Sequence, residues 1–323
     1  MNHDKKVAVG TSKGTIVLLH TSCYLNPMRQ DQYLRSTIKC HEQSITAMKM
    51  NKKGDYLLTA DKTGFIKYFH TTILVENELV VKATDTDKLR HKDAIRDIAF
   101  SPNDEKFITC SEDKTLRVGD LESGRYEKVF EGHGSDVTTV DWHPYYSLTA
   151  SGGKDRFIKV WDVKSGQEIC SLYKHTNSLS KIRFCDDGRY MVSCGRDQML
   201  KIFDVRTMKV LHEYKGHDSD IFSVNWNPSI PTMFASCDQS GKICLWDINQ
   251  TKPLTSWLHS SIAVGQVEVW ELAWNKLGNM LATCGGDKHV KLWMPNDLMQ
   301  LPQQQQQMSF GNFAMPYPQS IRS

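Results

Sequence analysis

The sequence predicts an all-β fold of seven repeated blades, a β-propeller, from three observations. A histidine recurs at His91, His133, His175, His217 and His259 with a constant step of 42 residues, and His41 precedes them at a step of 50. Between histidines the chain runs in short apolar segments: Val137, Val140 and Trp142, then Leu148 to Ser151, then Ile158, Val160 and Trp161. Turn residues part these segments at His143-Pro144 and Lys154-Asp155, so each unit reads strand, turn, strand, turn, strand. A period of this length marks small sheets that cannot bury their own faces and must stack on their neighbours.

Composition is consistent with this. With 323 residues, 40% hydrophobic and 24% charged, the chain can bury a large core, and repetition supplies the modularity a chain of that length needs. Apolar runs are shorter than the roughly 18 residues of a membrane span, and the N-terminal MNHDKKVAVG has no apolar signal core. An intracellular protein with no membrane partner is expected. The nine cysteines include no CxxC pair. Cys110, Cys194, Cys237 and Cys284 each stand nine residues before the slot that closes the third strand (Gly119, Phe203, Trp246, Trp293), where the fourth unit has Gly152. A place filled by Cys or Gly wants a small side chain on a buried strand, so the cysteines are expected to be core residues, with no metal and no cofactor.

Taken in order, the first blade is partial: Lys5 to Gly10, Thr15 to Leu19 and a further strand from Tyr33 to Ile38. The second runs from His41 to Phe69 and is followed by a long connector, Thr71 to Leu89. The third starts at His91, the fourth spans Gly132 to Asp162, the fifth His175 to Asp204 and the sixth Gly216 to Asp247. The seventh begins at His259, carries an insertion near Ser260 to Gln266 and closes at Trp293. Residues 1–293 thus form the propeller. Residues 294–323 change character, with five consecutive glutamines and no period, and are expected to be a disordered tail in which Phe310, Phe313 and Tyr317 are candidate anchors for a partner.

Counting strands gives three in blade one, four each in blades two to six and three in blade seven. A closed ring needs two more, so the seam is expected to be incomplete at the N-terminus. Either a strand is encoded upstream of Met1 or a partner covers the exposed edge.

Gly-His near the start of the fourth and sixth units (Gly132-His133, Gly216-His217) and Trp-Asp near their ends (Trp161-Asp162, Trp246-Asp247) resemble the WD-repeat pattern. In that pattern a buried set links the loop His, a strand-two hydroxyl, the turn Asp and the strand-three Trp. The fourth blade matches with His133, Ser151, Asp155 and Trp161. The fifth has His175, Ser193 and Asp197, but Phe203 removes the indole donor. The third has Thr109 and Asp113 but Gly119 in place of Trp, so it is expected to be loosened by about 3 kcal/mol. In blades two and six the turn Asp is replaced by Thr63 and Ser240, with Asp61 and Asp238 two residues earlier. His, Ser and Asp are also the residue types of a hydrolase triad. A set that recurs blade after blade is structural, however, and no nucleophile elbow, phosphate loop or zinc-protease motif appears, so neither catalysis nor a small-molecule substrate is expected.

Formal net charge is +3 overall, but residues 1–54 carry nine Lys/Arg against three acids. Tyr24 and Tyr33 lie among those charges, a combination suited to phosphates with bases stacked alongside. Charge alone favours an ordinary solvated surface, because a specific site needs clustering on one face.

The stretches HKDAIRDIAFSPNDEKFITCSEDKTLRV (His91 to Val118), GHGSDVTTVDWHP (Gly132 to Pro144) and YLLTADKTGFIKYF (Tyr56 to Phe69) resemble the polyadenylation factor subunit 2 family. This family is the WD-repeat subunit of the cleavage and polyadenylation specificity factor, and the resemblance covers roughly His41 to Trp293. It implies a nuclear, non-enzymatic scaffold of pre-mRNA 3′-end processing. Such a subunit helps recognise AAUAAA jointly with a zinc-finger subunit and docks on a large propeller scaffold subunit. In that family a basic segment ahead of the first blade faces the RNA. Here only Lys5 and Lys6 remain of it; Tyr33, Arg35 and Lys39, where blade one meets blade two, are the nearest equivalents, and Arg29 is a further candidate RNA contact. The alternative is a WD-repeat adaptor of another complex, such as a ubiquitin-ligase substrate receptor or a chromatin peptide reader.

Overall fold

The computed structural model describes residues 6–20, 36–70, 89–259, 267–294 and 321–322. The fold is an all-β, seven-bladed propeller, with each blade an antiparallel meander. Two compact units divide the chain, Met1–Ile182 and Arg183–Ser323.

In the first unit, blade one is Lys6–Gly10, Thr15–His20 and Ser36–Lys39, and blade two is Ile45–Met50, Tyr56–Asp61 and Ile66–His70. Blade three is Ile95–Phe100, Lys106–Ser111, Leu116–Asp120 and Arg125–Phe130. Blade four is Val137–Trp142, Leu148–Gly153, Phe157–Asp162 and Glu168–Tyr173. Blade five begins with Leu179–Phe184, the strand in which the unit boundary falls, and continues with Tyr190–Gly195, Leu200–Asp204 and Lys209–Tyr214.

In the second unit, blade six is Ile221–Trp226, Met233–Asp238, Lys242–Asp247 and Thr255–Leu258. Blade seven is Val269–Trp274, Leu281–Gly285, His289–Trp293 and Ile321–Arg322.

Two blades differ from the strand count read off the sequence. Blade two has three strands among the described residues, because the connector that should hold its fourth, 71–88, lies outside them. Blade seven has four rather than three. Its outer position is taken from the far end of the chain, where His289 pairs with Arg322 and Val290 with Ile321. The remainder of the expected tail, 295–320, and the insertion at 260–266 lie outside the described residues.

Burial explains why the strands alternate as they do. Middle strands are covered on both faces, as in Leu148–Gly153, where five of six residues are buried. Outer strands are covered on one face, so Arg125–Phe130 alternates exposed and half-buried before ending on buried Phe130.

The inner strand carries a recurrent irregularity. The register against the second strand slips between Ile45 and Ala47, Ile95 and Asp97, Val137 and Thr139, Ile221 and Ser223, and Val269 and Glu271. A bulge at one fixed place in five blades re-aims the next side chain, and polar residues gather there. Asp97 Oδ2 accepts hydrogen bonds from Thr139 Oγ1 at 3.0 Å and from Val140 N at 3.3 Å. Lys181 Nζ stands 3.6 Å from Asp97 Oδ1, and Ser223 donates to Glu271 Oε1.

The cysteine slot is a core position. Cys110, Cys194 and Cys237 are fully buried while Cys284 is half-buried, and a Cβ on Gly152 would come within 2.8 Å of Ile182 Cδ1. Burial pushes the thiols of Cys185 and Cys244 up to about 12, away from reactivity.

Candidate functional site

Three of the histidine loops are seated on the turn of the blade before them. His41 N donates to Gly14 O at 2.9 Å, His91 N to Gly64 O at 3.0 Å and His259 N to Gly241 O at 2.8 Å. At Gly14 and Gly64 that residue must be glycine: φ is +74° and +86°, and a Cβ there would lie 2.1 Å from His41 O and 2.5 Å from His91 O.

Within blade four, Trp161 Nε1 donates to Ser151 Oγ at 2.8 Å, Ser151 Oγ donates to His133 Nε2 at 2.7 Å, and His133 Nδ1 donates to Asp155 Oδ2 at 2.8 Å. The carboxylate can only accept, which fixes the imidazole tautomer and leaves every polar atom of the set partnered. Burial opposes the charge on Asp155, yet hydrogen bonding from His133 holds its carboxyl below the usual carboxylate range.

Blades two and six build the same histidine–aspartate link with an aspartate displaced by two residues, and blade two has Phe69 where blade six has Trp246. His41 Nδ1 donates to Asp61 Oδ2 at 2.8 Å, and His217 Nδ1 to Asp238 Oδ2 at 2.6 Å. The residues at the expected Asp position brace that carboxylate instead, with Thr63 Oγ1 and Ser240 Oγ each donating to its Oδ1 at 2.7 Å. In blade seven the ring nitrogens exchange roles, Nδ1 of His259 meeting Thr283 Oγ1 at 2.9 Å and Nε2 meeting Asp287 at 3.3 Å. Burial and the neighbouring Lys291 bring the His259 pKa down to about 4. Of the fifth-blade set, His175 and Ser193 are buried.

The third blade does not leave the place of Trp empty. The place of the missing indole is filled from the outer strand, where Tyr126 Oη lies 3.3 Å from Thr109 Oγ1 and its ring meets His91 edge-on at 5.6 Å. The sequence gives no cue to this, because Tyr126 is on a different strand from Gly119. A basic residue two places before the closing slot also escaped notice. Lys67 Nζ donates to Cys40 O at 2.5 Å, Arg117 Nη1 to Arg90 O at 2.9 Å, and Lys291 to His259 O, tying the third strand to the histidine loop.

The N-terminal basic edge is described only in part. Lys5, Arg29, Tyr33 and Arg35 lie outside the described residues, and Lys6 opens the first strand, opposite His20. Lys39 ends the third strand of blade one, exposed, and its ammonium donates to Lys13 O at 2.8 Å.

Residues 36–308 match the family described as Nucleolar protein 10-like, N-terminal domain. The chain belongs to that family. Beside its Nucleolar protein 10-like membership it has partial similarity to curated proteins. It is 32% identical over 92 residues to Polyadenylation factor subunit 2 of Candida albicans, covering 28% of this chain and 15% of that protein. With Polyadenylation factor subunit 2 of Cryptococcus neoformans var. neoformans it shares 28% over 135 residues, 41% of this chain and 16% of that one. F-box-like/WD repeat-containing protein TBL1X of Mus musculus is 33% identical over 117 residues, 36% of this chain and 20% of that one. The chain therefore spans about one sixth of the polyadenylation factors it matches, over a shorter stretch than His41 to Trp293. Among solved structures, the WD40 repeats of RRP9 superpose with TM-score 0.72 at 16% identity, covering 81% of this chain and 79% of that one. U3-55K gives 0.70 at 17% identity, with 80% of each chain covered. These structures share the fold, and this Nucleolar protein 10-like chain is a seven-bladed propeller of that kind.

Proposed function

We propose that the chain is a non-enzymatic scaffold subunit of the pre-mRNA 3′-end cleavage and polyadenylation machinery, working in the nucleus. The observation that carries the scaffold reading is the closure of the His-Asp circuits. His41, His91, His133, His217 and His259 are all buried and spend both ring nitrogens on protein partners. The hydroxyls that face these rings, on Thr59, Thr109, Ser151, Ser236 and Thr283, are themselves buried out of reach of a substrate, so the repeated residues build the platform and its loops meet partners. The process is supported by the similarity to two polyadenylation factors. On this reading the partners are a large propeller scaffold subunit and a zinc-finger subunit, and AAUAAA-containing pre-mRNA is bound jointly with the latter along the edge of Arg29, Tyr33, Arg35 and Lys39.

The family match favours a second reading, a scaffold of a nucleolar assembly. Affinity purification of the tagged chain from its own cells separates the two. Recovery of cleavage and polyadenylation subunits supports the first. Recovery of pre-ribosomal components in their place supports the second, and recovery of neither removes both.

A further inference from the structure

Blades three and four enclose a cleft of about 540 Å³ between the turn after Phe100, the turn after Trp142 and the loop after Val163. Its floor is apolar, formed by the buried side chains of Val118, Trp142 and Val163. Its wall is the pair Tyr145 and Tyr146, 63% and 68% exposed, the most exposed large hydrophobic residues among those described.

These rings are held in place from beneath. His143 is buried, and its Nδ1 accepts hydrogen bonds from the backbone N–H of both Tyr145 and Tyr146 at 3.1 Å. The Tyr146 ring stacks on His143 at 4.8 Å and 24°, and Trp142 Nε1 donates to Tyr146 O at 3.2 Å. The loop thus presents two aromatic faces to solvent on a backbone already fixed, which lowers the ordering cost of binding and contributes little to the fold itself.

The rim is basic. Lys106 pairs with Glu127 at 2.5 Å, Lys128 donates to Val163 O and Lys164 O, and Lys164 is exposed beside them. Three lysines and one carboxylate line the cleft, which gives its lining a net positive charge over an apolar floor, with Asp120 and Asp162 acting on Lys106 and Lys128 from outside it.

We propose that this cleft is a docking site for an acidic peptide segment carrying an aliphatic or proline anchor. The anchor fills the floor against Trp142 and Val163 between the tyrosine rings, and flanking carboxylates meet the lysine rim. Single-stranded nucleic acid fits less well, because it needs a continuous basic track for its phosphates, and here Glu127 interrupts the lysines. The proposal deepens the scaffold reading by giving a partner's chemistry. It rests on the chain being an interaction platform and is indifferent to which nuclear particle it serves.

The test is selection of a random peptide library on the immobilised full chain, followed by anisotropy titration of the enriched peptides. Enriched sequences should be acidic around an apolar anchor and should bind more weakly as salt rises. Lys164→Glu, a surface change that leaves the thermal melt unaltered, should weaken them on the order of tenfold, and Tyr146→Ala by a similar factor. Binders indifferent to both substitutions, basic or neutral binders, or no enrichment at all would overturn the proposal. So would an oligouridylate probe that binds the wild-type chain and is lost on the same two variants, which would assign the cleft to RNA. Because the titration uses the purified chain alone, its outcome is independent of which complex the chain is recovered with.

Discussion

Tyr126 and Thr109 meet across blade three at 3.3 Å, hydroxyl to hydroxyl, where other blades place a tryptophan indole on the strand-two hydroxyl. Phe107 completes the substitution: it is fully buried, and a Cβ built on Gly119 would fall 2.3 Å from its Cζ. Two rings from two other strands thus do the work of one indole, and Gly119 is small because the space above it is taken. Burial pushes the Tyr126 hydroxyl pKa up, so it stays a neutral partner.

Gly119→Trp is accordingly expected to destabilise the chain rather than repair it, by about 1–3 kcal/mol or more from overpacking. Tyr126→Phe keeps the ring and removes the hydroxyl, and should cost about 1 kcal/mol. Urea denaturation of both variants checks this. A Gly119→Trp variant as stable as wild type would show that Phe107 and Tyr126 can make way.

Blade architecture was legible because one blade's pattern is repeated, so strands, turns and the His-Ser-Asp-Trp circuit of blade four could be read from spacing alone. What was not legible came from comparisons across strands. Tyr126 replaces Trp from an outer strand. Asp61 and Asp238 do the work of a turn aspartate from two residues earlier, which is possible because a carboxylate ending the second strand reaches the same imidazole nitrogen. The tyrosine wall of the cleft reads in sequence as two ordinary turn residues, and only the stack on His143 shows them to be fixed.

The inner-strand bulge gives a second stability test. Thr139 is fully buried, donates to Asp97 Oδ2 and accepts from Ile182 N at 2.9 Å, so its hydroxyl serves three successive inner strands. Thr139→Val keeps the shape while leaving the Ile182 N–H without this acceptor and Asp97 without this donor, and should cost about 1–3 kcal/mol. Thr139→Ser keeps the hydroxyl and should recover most of that. Equal losses in the two variants would make methyl packing the decisive contact instead.

Stability should also depend on pH with a definite sign. His91 and His259 have pKa values lowered by burial, that of His259 to about 4. The unfolded chain, with His near 6.5, takes up protons before the native state does. Their contribution is therefore fully present above about pH 6.5 and is lost as pH falls from there, with each histidine contributing up to about 1.4 kcal/mol per pH unit. For His259 that loss runs down to about pH 4. The carboxyls of Asp61, Asp155 and Asp238, held low by their histidine partners against burial, extend the loss below the unfolded carboxylate value of about 4. Denaturation midpoints measured between pH 8 and pH 4 should decline steadily on the acid side. A flat profile would mean that the buried histidines take up protons in place.

The basic edge is tested through salt. Lys39 already donates one hydrogen bond to Lys13 O, but an ammonium has three donors, so it can keep that bond and still face a phosphate. If Arg29, Arg35 and Lys39 contact phosphates, the slope of log affinity against log salt should shrink by about 0.7 for each one removed. Tyr33→Ala should cost about 1–3 kcal/mol if a base stacks on it. The isolated chain should bind weakly with little preference for AAUAAA, and the zinc-finger partner should bring discrimination. The measurement is a titration of AAUAAA and scrambled RNAs, with and without that partner, on wild type and on a variant with all four residues changed to alanine. If the variant binds as well as wild type in the joint complex, the edge is ordinary surface, and the chain acts in that complex through protein contacts alone.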